Sequence, residues 1–441
     1  EEASPRHRRR RRRRHGTAVV LLMRILLPTD VFPPDGRGGA AWSSHALARA
    51  LLARGHQVTA LVPVRGRRGV VHADALGVPA VRIGYTAPSL PVVQNYFRHE
   101  RFWPVLAKAI VAEARRGPLP QVLHAQHVQT APGAVLAGKQ LGVPVVVTVR
   151  DHWPWHYFAT GLHGDQVPYG RPGWPGLATE LPARLGPLRG ILALAGLPYM
   201  LAHQRRRAQY LARADAVIAV STYIAERLAG IVQPERLHVL PNMLDMAANE
   251  TIAAAPPETR WEGGLLLFVG KLEANKGAGL LPAIFRELRA PGMPNVPPFT
   301  LVIAGDGALR DRLTTELGTL GLQMQMLNWA SHDEVLRLMK QSTLLLFPST
   351  WGEPLSRVLL EASGMGTPIL AMPTGGTQDI IHHGITGAIA ATPRLFAQRM
   401  AELLLDPVAR NRLGEGARAF AHTHFAYEAV LPRYERLYQA L

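Results

Sequence analysis

The sequence predicts an α/β protein of two doubly wound halves, each a parallel sheet with helices on both faces, facing one another across a cleft. Three observations predict it. From Met23 onward, apolar runs of strand length alternate with amphipathic helical stretches, the signature of a parallel sheet. That beat stops over 246–262 (MAANETIAAAPPETRWE), which is Ala/Pro-rich, polar and aperiodic, and then restarts; such a stretch reads as a linker. A chain of 441 residues is also too long for one ordinary hydrophobic core.

Taken in order, RILLPT (24–29) reads as a buried strand. SSHALARALLARGH (43–56) reads as a helix ended at Gly55, and QVTALVP (57–63) as the next strand. QVLHAQ (121–126), a helix through Lys139 and PVVVTVRD (144–151) continue the pattern, and an aromatic, Pro- and Gly-rich insertion breaks it over 152–212. ADAVIAVS (214–221) and RLHVLPN (236–242) restore it. Past the linker come LLLFVG (265–270), FTLVIAG (299–305), QMQML (323–327), TLLLFPS (343–349) and TPILAM (367–372), each followed by a helical pattern. In open α/β sheets ligands bind at the carboxyl ends of the strands, so the cleft between two such halves is the expected site.

Composition narrows the chemistry. The chain has no cysteine, which excludes disulfides, thiolate zinc sites and a cysteine nucleophile. The formal net charge is +17, and six of those charges come from residues 1–22, where eight Arg face two Glu. The run RHRRRRRRRH (6–15) reads either as a nucleic-acid or membrane arm or as a frame extended upstream of a true start at Met23. Residues 1–22 are therefore expected to be a disordered or artefactual Arg-rich extension outside the fold. The remaining basic surplus suits an anionic substrate or membrane surface. No stretch approaches the roughly 20 apolar residues of a membrane span. ILALAGLPYMLAHQ (191–204), with Arg189 before it and Arg205–Arg207 after it, reads as a core helix or as an interfacial one.

Four loops carry chemistry. In PPDGRGGAAW (33–42), Gly36, Gly38 and Gly39 let backbone approach a ligand ahead of a helix N-terminus, which favours an anion. FVGKLEANKG (268–277) places Lys271 and Lys276 at a strand's carboxyl end, where two cations suit a diphosphate. VIAGDG (302–307) leaves room for a flat group beside Gly305 and Gly307. In PSTWGEPLSRVLLEASGMGTP (348–368), Glu353 and Glu361 bracket an apolar run, with Pro354 at the first position of the expected helix. Carboxylates are rarely buried without partners, and these two suit the vicinal hydroxyls of a sugar or ribose. Cations for phosphate and acids for hydroxyls together point to a nucleotide diphosphate sugar.

The order and spacing of these pieces, with VLPNMLD (239–245) and GGTQDIIHHGITG (375–387), resemble the retaining GT-B glycosyltransferases of family 4 (glycosyl transferases group 1), including their E-x7-E motif. The resemblance implies two Rossmann-like domains. Residues 23–245 would form the acceptor-side domain, 246–262 the linker and 263–424 the nucleotide-sugar domain, with a last helix (425–441) crossing back to the first. It implies that Lys271 and Lys276 bind the donor diphosphate and, with Glu353, carry catalysis. Glu353 would contact the donor sugar and Glu361 the ribose. Gly38, Gly39, Arg150, Gly270, Pro354, Leu355, Ser356 and Arg357 would line the sugar and diphosphate, and Gly305, Asn328 and Trp329 the base. His127, Asp151, His152 and Trp153 would stand on the acceptor side. The chain departs from the family at Leu355-Ser356, where Phe-Gly is frequent, and at Arg150, where a His is usual.

The expected activity is metal-independent, retaining transfer (class EC 2.4) from a nucleotide diphosphate sugar to a glycan, lipid-linked or small-molecule acceptor, with no cofactor. A bacterial cell-envelope polysaccharide is the expected context. The expected location is cytoplasmic, with peripheral contact to the anionic inner face of the membrane left open; nucleic acid is not expected as a partner. The alternatives are a sugar-nucleotide epimerase of similar two-domain fold and a non-catalytic nucleotide-sugar or nucleic-acid binding protein.

Overall fold

The computed structural model describes residues 21–36, 38–90, 93–164, 167–168 and 173–441; the Arg run lies outside them. The chain runs β1 (Arg24–Pro28), α1 (Gly39–Ala53), β2 (Gln57–Arg65), β3 (Val70–Asp74), β4 (Pro79–Tyr85), α2 (Val93–Arg98), α3 (Trp103–Ala114), β5 (Val122–Ala125), α4 (Ala131–Leu141) and β6 (Val145–Val149). The insertion holds β7 (Leu162–His163), β8 (Val167–Pro168), α5 (Gly173–Leu185), α6 (Pro187–Ala193) and α7 (Leu197–Leu211). Then come β9 (Ala216–Ala219), α8 (Thr222–Leu228), β10 (Leu237–Val239) and α9 (Met246–Ala253). The second half holds β11 (Gly264–Val269), α10 (Leu281–Leu288), β12 (Phe299–Ala304), α11 (Arg310–Thr319), β13 (Met324–Leu327), α12 (His332–Gln341), β14 (Leu344–Phe347), α13 (Arg357–Met365), β15 (Ile369–Ala371), β16 (Ala388–Ile389), α14 (Pro393–Leu405), α15 (Pro407–His424) and α16 (Tyr427–Gln439).

Among the described residues the first sheet has the order β10-β9-β6-β5-β1-β2-β4-β3 and the second β13-β12-β11-β14-β15-β16. Every pairing in the two is parallel except β3 with β4. The halves are thus two doubly wound, Rossmann-like sheets. The inner strands β5, β6, β9 and β14 are buried at every position, because helices cover both faces, and they read as apolar runs for that reason. Strand order reverses at β1/β5 in the first sheet and at β11/β14 in the second, so each half has its ligand crevice there. The antiparallel edge strand β3 was not anticipated; its residues are mostly exposed.

The connection between the sheets is partly helical: Met246–Ala253 forms α9, capped by Asp245, whose carboxylate accepts the Ala248 N–H at 3.0 Å. Its buried Met246 and Ala253 join a core that runs without a break from Val147 of the first sheet to Leu359 of α13. The last helix, α16, packs on the first half. Glu435 binds Arg54 Nε at 3.1 Å and His56 Nε2 at 3.0 Å, and the Tyr438 hydroxyl lies 2.7 Å from His124 Nδ1. The 191–204 stretch is not one helix, since a 3-10 turn over Leu194–Gly196 divides α6 from α7. No helix among the described residues is long and apolar enough to cross a membrane.

Candidate active site

The second half builds its crevice from the loops after β11 and β14. Gly277 has φ +71°, and a Cβ there would stand 1.8 Å from the Pro348 carbonyl oxygen, so only glycine lets the two loops touch. The Asn275 carbonyl then accepts from Thr350 N (3.1 Å), Trp351 N (3.0 Å) and Ser349 Oγ (3.1 Å). This lattice sets Lys276 Nζ 2.5 Å from Glu353 Oε1 and 4.4 Å from the centre of the Trp351 ring. Ser349 Oγ also lies 3.1 Å from the same carboxylate oxygen, so its one proton is shared between that oxygen and the Asn275 carbonyl. The loop after β12 closes against this one, since a Cβ on Gly305 would lie 1.9 Å from the Gly270 carbonyl oxygen.

Helix α13 starts later than expected. Its N-cap is Ser356, whose hydroxyl accepts from Leu359 N; Pro354 is therefore in the loop and not at the first helical position. Glu353 precedes the helix by four residues, so the two glutamates are not stacked along one axis. Both are 3 % exposed, and both are paired. Glu361 Oε1 accepts from Arg357 Nε at 2.7 Å, one turn earlier, and lies 2.9 Å from His332 Nε2 of α12. Burial works against its charge, but the Arg357 charge and the His332 hydrogen bond outweigh it and hold the carboxyl below its ordinary pKa. Arg357 Nη1 is buried without a hydrogen-bond partner. Lys271 is exposed, 3.7 Å from Glu273, and Trp329 stands 59 % exposed beyond β13.

The first half brings three groups together at the carboxyl ends of neighbouring strands. His127 (after β5) lies between Asp30 (after β1), with Nδ1–Oδ2 3.0 Å, and Asp151 (after β6), with Nε2–Oδ2 2.6 Å. Asp30 also accepts from Gln129 N, Thr130 N and Thr130 Oγ1, at 2.8–3.0 Å, at the start of α4, where the helix dipole favours an anion. Burial opposes the charge on His127, but the attraction of Asp151 and then of Asp30 prevails and pushes its pKa up to about 10. His127 is thus an imidazolium clamped by two carboxylates.

Two expected contacts belong elsewhere. Trp153 is fully buried in the core, its backbone N–H donating to the Asp151 carboxylate at 2.8 Å, so its ring presents no surface to an acceptor. Arg150 is 8 % exposed, with Nε donating to Asn242 Oδ1 at 3.0 Å and Nη1 to the Gln126 carbonyl at 3.2 Å. Those bonds fix the loop after β10, which leaves little of the guanidinium for a donor.

His152 joins the halves. Its Nδ1 donates to the Thr160 carbonyl at 2.7 Å, Nε2 lies 3.3 Å from the Tyr223 hydroxyl, and its ring sits 5.7 Å from that of Trp351. Burial lowers its pKa, which favours the neutral ring. The Trp351 indole donates to the Thr160 carbonyl at 2.5 Å, and Asp379 accepts from Thr222 N (2.7 Å) and Oγ1 (2.6 Å). Gly39 faces α13 across the cleft: a Cβ there would be 3.8 Å from Arg357 Cβ, while Gly38 opens on free space. Beside His152, a cavity of about 200 Å³ is lined by Trp155, Tyr157, Gln204, Tyr223 and Arg227 among others. A larger depression of about 540 Å³ around Arg289 and Phe299 opens at the amino ends of the second sheet, away from all these groups.

Sequence reasoning missed Asp30, His332, Ser349, Trp351, Tyr223 and Asp379. Asp30, Ser349 and Trp351 each follow a strand end closely, which is the one local signal they carry; His332 and Asp379 are recruited by packing, as is Tyr223.

The comparisons identify the family and the fold. The family described as glycosyltransferase family 4 matches residues 37–248, and that described as glycosyl transferases group 1 matches residues 255–420. The chain is similar to the glycogen synthase of Mycobacterium tuberculosis, 26 % identical over 437 residues and covering 95 % of each chain. Among solved structures it is similar to the Anabaena protein HepE in complex with UDP and glucose (TM-score 0.63, 17 % identity, 95 % of this chain and 100 % of that one). A second is the sucrose-phosphate synthase of Thermosynechococcus elongatus (TM-score 0.62, 18 % identity, 95 % and 98 %). One family covers each half, and both sheets have the architecture of the GT-B fold. The chain is therefore a glycosyltransferase of the GT-B fold, belonging to family 4, the glycosyl transferases group 1.

Proposed function

We propose that the chain moves a sugar, with retention of configuration and without a metal, from a nucleotide diphosphate sugar to a hydroxyl of a carbohydrate acceptor. The observation that carries this reading is the Lys276–Glu353 pair at the β11/β14 switch point, 2.5 Å apart with Glu353 almost wholly buried. A cation and a carboxylate there suit the two ends of the bond to be broken, phosphate oxygen and sugar. Lys276, Lys271 and the unpartnered Nη1 of Arg357 meet the charge that develops on the leaving diphosphate, so the positioned cations do the work a metal would otherwise do. Glu361 Oε2 accepts the ribose hydroxyls. The bond from C1 to the diphosphate oxygen breaks, and the acceptor oxygen bonds to C1 on the same face. The acceptor proton passes to the departing diphosphate.

The cavity beside His152 holds the acceptor. Its 200 Å³ is below the roughly 300–1,000 Å³ of sites for drug-sized ligands, which suits one sugar ring. Aromatic walls and the polar edges of Gln204 and Arg227 suit the two faces of such a ring. HepE in complex with UDP and glucose makes UDP-linked hexoses the first donors to try. The family matches favour transfer over an epimerase or a binding module.

A thermal-shift screen of nucleotide sugars, run on the parent and on Glu361→Ala, tests the assignment. The true donor raises the melting temperature of the parent by a few degrees, as ligand linkage requires, and that of the variant by much less. Equal shifts in both would remove the ribose role of Glu361. The anomeric proton signal of the product checks retention, and unchanged turnover in EDTA checks metal independence.

A further inference from the structure

The insertion leaves an apolar face uncovered on α5 and α6, although Gly173 and Leu177 of α5 also line the proposed acceptor cavity. Helices α5 and α6 form a hairpin turned at Gly186 and packed at Gly190, where a Cβ would stand 2.3 Å from Pro182 Cα. The Gly190 side of α6 therefore faces α5. Leu188 and Leu192 lie two residues to either side of Gly190, about 200° around the helix from it, and share the opposite face. They are 75 % and 71 % exposed, with Ile191 beside them at 60 %. Trp174 of α5 adds a ring 63 % exposed on the same hairpin. Single apolar side chains on a surface are ordinary, whereas three on one short helix mark a contact.

Charge identifies the occupant. Residues 173–213 contain six Arg and one acid, Glu180. Glu180 is fully buried and bound to His163 and to the Gly164 N–H. Arg189, within α6, is exposed, as are Arg205 and Arg206 of α7. Arg207 is not part of this surface; it is buried and donates to the carbonyls of His156 and Tyr157 at 3.2 Å. An apolar helix face with basic neighbours and no exposed acid among residues 173–213 suits a bilayer of anionic lipid, where apolar side chains enter the acyl boundary and arginines remain among the headgroups. A twofold contact with a second copy would instead bring both Arg189 side chains into one apolar interface.

We propose that the α5–α6 hairpin docks on an anionic lipid surface, with Leu188, Ile191 and Leu192 inserted and Arg189 at headgroup level. The proposal goes beyond the transfer reaction, and its test needs no substrate. The full chain and the variant Leu188→Ser/Ile191→Ser/Leu192→Ser are sedimented with vesicles of phosphatidylcholine alone and of phosphatidylcholine with phosphatidylglycerol. The buffer contains about 0.5 M salt, which screens the purely Coulombic pull of residues 6–15. The parent is expected to bind the anionic vesicles, and the triple variant at least about tenfold more weakly, with its melting temperature unchanged. Arg189→Glu is expected to weaken binding to anionic vesicles only. Equal partitioning of parent and triple variant overturns the proposal. So does light scattering that shows a dimer of the parent which the triple variant abolishes. Either result leaves the nucleotide-sugar screen standing.

Discussion

The crevices of the two sheets sit at equivalent switch points but carry opposite charge arrangements. At the second, each buried acid is held by a cation: Glu353 by Lys276, and Glu361 by Arg357, with a hydrogen bond to His332 besides. Lys271 is left over, 59 % exposed at its side chain, as is one buried guanidinium nitrogen of Arg357. At the first, the ratio is inverted, with one imidazolium between two carboxylates. A surplus of positive charge suits a diphosphate. Two carboxylates around one imidazolium, with Arg150 turned away toward Asn242, suit a hydroxyl proton, or a sugar carbon turning cationic as its bond breaks. The halves share an architecture but are not interchangeable, and the cleft is polarised from one to the other.

Three substitutions break or sharpen that contrast. Lys276→Ala removes the cation from the more positive side and leaves Glu353 buried and uncompensated. Turnover is expected to fall by about 10²–10³-fold and the melting temperature to drop, as steady-state kinetics and calorimetry will show. His127→Gln removes the cation from the more negative side and leaves Asp30 and Asp151 facing each other. The expected stability loss is about 3 kcal/mol near pH 6. Because the folded pKa is raised to about 10, from an ordinary 6.5, the imidazolium's contribution is complete below pH 6.5 and is lost as pH rises through 10. Urea denaturation across that window should show the two proteins converging, and a pH-independent gap would mean that the charge is not what binds the three residues. Lys271→Ala should have the smallest effect, a several-fold rise in the donor Michaelis constant that shrinks as salt is added, because this cation is exposed and paired only loosely with Glu273. A salt-independent effect would place Lys271 in direct, desolvated contact with the donor.

How much was legible differs between the halves for the same reason that their charges differ. On the second side, Lys276 and Glu353 lie in loops beside strand ends and Glu361 lies in the helix that follows one of them, so a single stretch of chain carries the pattern. On the first, His127 meets Asp30 across 97 residues and Asp151 across 24, and no local spacing announces such a trio. Pro354 misled the helix boundary because proline suits a loop as well as a first turn. Ser356, whose hydroxyl accepts from Leu359 N, is the residue that starts α13. Trp153 misled the acceptor assignment because an aromatic insertion reads alike whether its rings line a pocket or fill a core.

The sequence by itself determined the two parallel sheets, since strands covered on both faces must be apolar throughout, and it determined the loops that carry Lys271, Lys276 and Glu353 and the helical stretch that carries Glu361. Tertiary structure alone decided which of those charges pair, that Arg150 turns toward Asn242, that His152 meets Trp351, and that α6 shows Leu188 and Leu192 to solvent. The physical reason is that burial and pairing belong to two surfaces at once, and a periodic apolar stripe on one helix does not say what, if anything, lies against it.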